Sequence, residues 1–272
     1  MLYERVLLSS TDGAQIPLDV YCPHVSGEID PDPRRRAVVI CPGGGYEFLS
    51  EREAEPVALT FAAAGFNAFV VWYRVAPHVY PRPQQDAASA VAYVRKNAAR
   101  YHVDPDKIAV MGFSAGGHLA ASLGVLWPKA ELWAPLSLTP EDVKPNAMVL
   151  SYPVISGGAK AHRGSFVALS GSKDLSEHEK YSLDKMVTKD TPPAFLWSTW
   201  DDSVVPVEST LLMAAALRRA DVQAEVHIFP HGEHGASLCR DVTSGLRNPQ
   251  MVLPDCAGWV DMAQRFLRDT MK

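Results

Sequence analysis

Cysteine is scarce in this chain and scattered. Four residues in 272, Cys22, Cys41, Cys239 and Cys256, form no C-x-x-C pair. That spacing indicates neither a zinc site nor a disulfide framework and leaves the expectation of reduced, partly buried thiols. Positive charge is also in short supply: 26 Lys and Arg against 31 Asp and Glu give a formal charge of -5. The basic residues are spread along the chain, so nucleic acid is not an expected partner. No apolar run approaches the ~20 residues of a membrane span. The start, Met1-Leu2-Tyr3-Glu4-Arg5, lacks the basic and apolar regions of a signal peptide, and the expectation is a cytoplasmic protein with no membrane partner. Internal repeats and low-complexity tracts are missing too.

What the chain does have is apolar content, 47% of residues, enough to bury a sizeable core. Two alternating segments, Glu4 to Ser9 and Gln15 to Tyr21, flank the turn signal Thr11-Asp12-Gly13 and predict an antiparallel hairpin at a sheet edge. From residue 37 onward the strand-like segments become continuous apolar runs at 37–41, 68–72, 108–111, 147–150, 194–197 and 225–229. Such runs suit strands buried on both faces of a mostly parallel sheet. Helical patterns fill the gaps. Ser50 to Ala64 opens with the Ser50-x-x-Glu53 spacing of a capping box and ends at Gly65, while Pro83 to Tyr101, Val207 to Ala220 and Ala257 to Met271 carry apolar stripes. The alternation predicts one doubly wound α/β domain over 1–272, with helices on both faces and a minimal cap. Leu126 to Lys144 and Ile155 to Pro193 are long connections after strands, where α/β sheets build binding sites, and 155–193 is expected to be a small insertion near the site.

The chemistry gathers at strand ends. Gly112-Phe113-Ser114-Ala115-Gly116 follows the run ending at Met111 and precedes a helix start. G-x-S-x-G arises by chance in roughly one chain of this length in ten, but this context is the strand-turn-helix that a nucleophile elbow needs. A serine hydroxyl attacks only when a base removes its proton and an acid fixes the tautomer of that base. Two later strands lead into loops that offer both. Asp201 and Asp202 follow the first, and His231 and His234 follow the second; the mobile Gly235 after His234 suits a base that must reach back over the sheet, so His234 is the expected base. His118, one turn beyond Ser114, is expected to be a buried structural residue with a backbone partner. The glycine run Gly43-Gly44-Gly45 after the 37–41 strand sits where oxyanion donors are normally supplied, with Gly44, Gly45 and the N–H of Ala115 as candidates. A phosphate loop is excluded because no G-K-[ST] or G-x-G-x-x-G follows. Metal binding by His231, Glu233, His234 and Asp241 is disfavoured, since the spacing is not H-E-x-x-H and Pro230, Gly232 and Gly235 break any helical face. No cofactor is expected.

Long stretches of the chain are similar to a known family. P-G-G-G-Y-E-F-L-S-E-R-E-A-E-P-V-A at 42–58, G-F-S-A-G-G-H-L-A-A-S at 112–122, S-Y-P-V-I at 151–155, S-L-D-K-M-V-T-K-D-T-P-P-A-F-L-W at 182–197, D-D-S-V-V-P-V-E at 201–208 and F-P-H-G-E-H-G at 229–235 resemble α/β-hydrolase esterases of the acetyl xylan esterase or sugar esterase type, relatives of hormone-sensitive-lipase-like esterases. The resemblance implies an α/β-hydrolase fold, Ser114, Asp202 and His234 as triad, and Gly44, Gly45 and Ala115 as oxyanion donors. It also decides for Asp202 over Asp201, which is left a capping or turn role. Two positions depart from lipase-like relatives: Pro42 stands where they carry histidine, and Phe113 where they carry an acidic residue. Trp200 replaces an expected small residue and, with Tyr46, is expected at the substrate; Phe48, Trp127 and Trp133 are further aromatic candidates, each equally readable as core. The expected substrate is a small-molecule ester, first an acetylated saccharide, with a hydroxycinnamoyl ester (feruloyl or chlorogenate) as the alternative and an amide or peptide after that. A homo-oligomer is left open.

Overall fold

The computed structural model describes residues 1–245 and 247–272. Among the described residues eight strands form one sheet: β1 (Leu2–Ser9), β2 (Gln15–Cys22), β3 (Arg35–Cys41), β4 (Asn67–Val71), β5 (Val103–Phe113), β6 (Ala147–Ser151), β7 (Ala194–Thr199) and β8 (Ala224–Phe229). Their order is β1-β2-β4-β3-β5-β6-β7-β8. The pairs β1/β2 and β2/β4 are antiparallel and every later pair is parallel. This is an α/β-hydrolase sheet with the expected antiparallel hairpin at one edge.

The parallel strands alternate their side chains between two separate apolar layers, which is why they read as unbroken hydrophobic runs. Val39, Val110, Leu150 and Leu196 face the layer covered by helices α2 (Arg82–Lys96) and α3 (Ala115–Leu126). Val38, Ile40, Met111, Val149, Phe195 and Trp197 face the layer covered by α1 (Glu55–Ala63) and the C-terminal helix, here α6 (Trp259–Thr270). In chain order α4 (Arg163–Ser170) and α5 (Glu208–Arg219) come between α3 and α6, and Leu169, Met213 and Leu217 add to the first layer. Every residue of α3 is buried, consistent with its small and apolar composition on all sides. No helix among the described residues is long and apolar enough to cross a membrane.

Four expectations need correction. The Ser50-x-x-Glu53 spacing does not cap a helix: Ser50 makes no side-chain cap, residues 51–53 form a 3-10 turn, and α1 begins at Glu55 with a proline in its first turn. The Ser50 N–H already donates to Gly43 O, which frees the Glu53 carboxylate to turn inward. The pattern over 83–101 breaks at Asn97, whose side chain donates to Tyr93 O and closes α2. β8 is an edge strand, half-buried along most of its length; its Glu225 pairs with His227 and Arg265. All four cysteines are free and fully rather than partly buried; burial pushes Cys22 up to about 12.

The topology places the chemistry. From β3 the chain runs to β4 on one side, whereas β5 leads to β6 on the other, so the loops after β3 and β5 diverge at a switch point where α/β sheets open a crevice. Cys41 pairs with Gly112 in register, which sets the glycine loop beside Ser114.

Candidate active site

Ser114 occupies the tight turn between β5 and α3 at φ 55 and ψ -120, a strained conformation for a non-glycine residue that costs about 1–3 kcal/mol. The surroundings hold it there. Its N–H donates to Ser151 O at 3.0 Å, and its carbonyl accepts from His118 N at 3.1 Å and Val154 N at 3.0 Å. Glycine is required on both sides by close backbone approach: a Cβ on Gly112 would meet the Gly116 carbonyl, and one on Gly116 would meet the carbonyl oxygens of Cys41 and Pro42.

The loops after β7 and β8 converge on this serine. His234 Nε2 lies 2.8 Å from Ser114 Oγ, and His234 Nδ1 lies 2.7 Å from Asp202 Oδ2. The other carboxylate oxygen of Asp202 accepts from Val204 N and Val205 N, both at 2.9 Å. Asp202 has a fully buried side chain, and both of its oxygens are committed as acceptors in three hydrogen bonds. Nδ1–H of His234 therefore donates to Asp202 and leaves Nε2 to accept from the serine hydroxyl.

The remaining aspartate and histidine pair with one another outside this chain of bonds. His231 Nδ1 lies 2.9 Å from Asp201 Oδ2, and Gly232 N donates to Asp201 Oδ1, at an exposed position. The two histidines weighed as metal ligands thus turn to different aspartates. His118 is buried, with Nε2 donating to Tyr181 O at 3.0 Å and Nδ1 accepting from Tyr46 OH at 2.9 Å. Burial pushes its pKa down to about 4.

In the glycine loop, Gly44 (φ 129) and Gly45 (φ 68) take backbone conformations that favour glycine. Among the described residues no hydrogen bond uses the N–H of either, whereas the Gly43 N–H donates to Glu53 Oε2 at 2.7 Å. The second oxygen of Glu53 accepts from Tyr152 OH at 2.7 Å, and that hydroxyl accepts from Ser237 N at 2.9 Å. The Tyr152 ring in turn lies edge-on to His234, centroids 5.0 Å apart. Glu53 and Tyr152 thus tie the glycine loop to the histidine loop. Burial raises the Glu53 carboxyl above its ordinary value against the opposing pull of Tyr152, Gly43 and His234. Sequence reasoning missed both residues; the S-Y-P motif after β6 was the available signal for Tyr152.

Ser114, His234, Gly44, Gly45 and Glu53 line one cleft of about 250 Å³, together with Glu47, Phe48 and His162. Tyr46, expected at the substrate, is a correction: it is buried, and its hydroxyl is committed to His118. Trp200 is 65% exposed and outside the cleft wall; its backbone N–H extends the β7/β8 pairing to Phe229 O. Trp133 is core and Trp127 is half-buried, its indole N–H donating to Asp190 O. Of the aromatic candidates only Phe48 lines the cleft. A more apolar cavity of about 290 Å³, bounded by Tyr80, Leu126, His118 and Met186, contains none of the Ser114, His234 and Asp202 group.

Comparison with known proteins adds lineage to this geometry. The BD-FAE family profile matches residues 18–217. The chain is 38% identical over 219 residues to endo-1,4-beta-xylanase B of Butyrivibrio fibrisolvens, covering 77% of this chain and 34% of that protein. It is 33% identical over 211 residues to an acetylxylan esterase of Xylanibacter ruminicola, covering 75% and 42%. The chain therefore spans between about a third and two-fifths of these curated relatives. Among solved structures, an acetyl ester-xyloside bifunctional hydrolase from Caldicellulosiruptor lactoaceticus superposes with TM-score 0.78 at 36% identity, covering 94% of this chain and 88% of that one. The carboxylesterase Cest-2923 from Lactobacillus plantarum WCFS1 superposes with TM-score 0.88 at 27% identity, covering 99% and 98%.

Proposed function

Because this chain belongs to the BD-FAE family of α/β hydrolases, we propose that it is a serine carboxylesterase removing short acyl groups, acetyl first, from carbohydrate hydroxyls. The observation that carries the reading is the continuous hydrogen-bonded chain from Asp202 through His234 to Ser114 Oγ. Its homology to esterases, and to an acetylxylan esterase in particular, supports the reaction class.

Each residue then has a task. Ser114 Oγ attacks the ester carbonyl as His234 Nε2 takes its proton, and Asp202 stabilises the imidazolium without becoming protonated. The N–H groups of Gly44, Gly45 and Ala115 receive the oxyanion, each donor worth about 3 kcal/mol in the transition state. Collapse expels the alcohol, protonated by His234, and leaves an acyl-serine; water repeats the sequence on the acyl group. A cleft of about 250 Å³ lies at or below the lower end of ordinary ligand pockets, which favours a small acyl group. Phe48, exposed in that cleft, supports a hydroxycinnamoyl group as the second reading.

Short p-nitrophenyl esters should be cleaved, and Ser114→Ala should reduce kcat by at least about 10³-fold. Full turnover by that variant, or failure of a fluorophosphonate to label Ser114, would sink the assignment. Acetylated xylo-oligosaccharides compared with feruloyl and chlorogenate esters then separate the two acyl readings.

A further inference from the structure

The cleft contains a second imidazole that plays no part in the proton relay. His162 stands at the N-cap of α4, where its ring does the work usually done by a serine or aspartate: Nδ1 accepts from Ser165 N at 3.3 Å and lies 2.8 Å from Ser165 Oγ. A ring nitrogen that accepts a backbone N–H carries no proton, so the neutral ring holds its proton on Nε2. Burial, and the neighbouring His234, keep this imidazole below its ordinary pKa and hence neutral around pH 7. Among the described residues no hydrogen bond uses Nε2, and the residue forms part of the same cleft wall as Ser114 and His234.

The unit sits against the glycine loop, since a Cβ on Gly45 would lie 4.0 Å from Ser165 Oγ. From that loop Glu47 also lines the cleft, exposed and without an ion-pair partner among the described residues. One wall element thus offers a neutral N–H donor and another a carboxylate that only accepts. A hydroxyl, which donates and accepts at once, satisfies both; an alkyl group satisfies neither.

We propose that His162 selects the alcohol half of the ester. Its Nε2–H donates to a hydroxyl oxygen on the carbon next to the ester-bearing one, while Glu47 accepts the proton of that hydroxyl. The substrate class is therefore esters of vicinal diols, which include partly acylated sugars and glycerol. The inference rests on the esterase reading above and narrows it.

Ethyl acetate and 2-hydroxyethyl acetate differ by the one hydroxyl in question. Wild-type protein should favour the hydroxy ester in kcat/KM by roughly five- to tenfold, the net weight of about one hydrogen bond in a partly exposed site. His162→Leu should bring that ratio close to one, and His162→Gln, which keeps an N–H donor, should restore part of it. The ratio is the readout, so a general loss of activity in either variant does not obscure it. If His162→Leu fails to fold, Glu47→Ala should lower the same ratio. A wild-type protein with no preference, a ratio unchanged in the leucine and alanine variants, or a glutamine variant no better than leucine would overturn the proposal. Failure of the wild-type protein to cleave either ester would overturn the esterase reading itself, and this inference with it.

Discussion

At the scale of residues, two adjacent aspartates meet two nearby histidines, and the chain pairs them in parallel: Asp202 with His234 inside, Asp201 with His231 outside. The outer pair is exposed, so its ion pairing is screened and weak, yet Asp201 also accepts from Gly232 N and shapes the loop that delivers His234. Asp202→Asn should preserve the shape of the site but favour the wrong histidine tautomer, lowering kcat on p-nitrophenyl acetate by about 10³–10⁴-fold. His231→Ala should cost no more than a few-fold in the same assay. A reversed ranking would mean that the outer pair serves the reaction. Spacing alone left Asp201 and Asp202 open, because which of two neighbouring carboxylates turns inward depends on the loop backbone; only resemblance to relatives favoured Asp202.

At the scale of elements, α3 joins the serine turn to its surroundings through His118, one helical turn on. The ring accepts from Tyr46, next to the glycine loop, and donates to Tyr181 in the 155–193 segment. Its folded pKa lies near 4 against an ordinary 6.5. Unfolding therefore takes up a proton between those values, and the stability that comes from keeping His118 neutral is complete above pH 6.5 and lost as pH falls toward 4. The full loss is about 3 kcal/mol, to be read as a falling urea midpoint over that window. His118→Gln should flatten this part of the profile, and an equal slope in that variant would place the acid sensitivity elsewhere. The element scale is also where sequence patterns misled. Ser50-x-x-Glu53 has the spacing of a helix cap, but Glu53 finds Tyr152 and Gly43 instead, the former 99 positions away along the chain. Local spacing carries no information about such a partner. His162 was passed over for the same reason, since its site neighbours come from other strand ends.

At the scale of the whole molecule, the sheet was the most legible feature, because strands that bury both faces must be apolar throughout and the turns between them carry glycine and proline. The tie between core and site was not, since it depends on which aromatic side chains meet across layers. Trp259 on α6 stacks on Trp197 of β7, with centroids 5.2 Å apart, and meets Phe113 beside Ser114. Its indole N–H donates to Ser237 O at 3.0 Å, and Ser237 N donates to the Tyr152 hydroxyl that Glu53 holds. One fully buried side chain therefore supports both the C-terminal helix and the loop that follows His234. Trp259→Ala should cost about 3–5 kcal/mol of stability through lost burial and the cavity left behind. Trp259→Phe, which keeps much of the volume but removes the donor to Ser237, should cost less than the alanine change. Its effect should fall first on the position of the histidine loop: kcat/KM on p-nitrophenyl acetate should drop under conditions where circular dichroism still reports a folded chain. Equal stability losses for the two variants would show that the ring volume kept by phenylalanine counts for little at this position, and an active, fully stable phenylalanine variant would disconnect the C-terminal helix from the site.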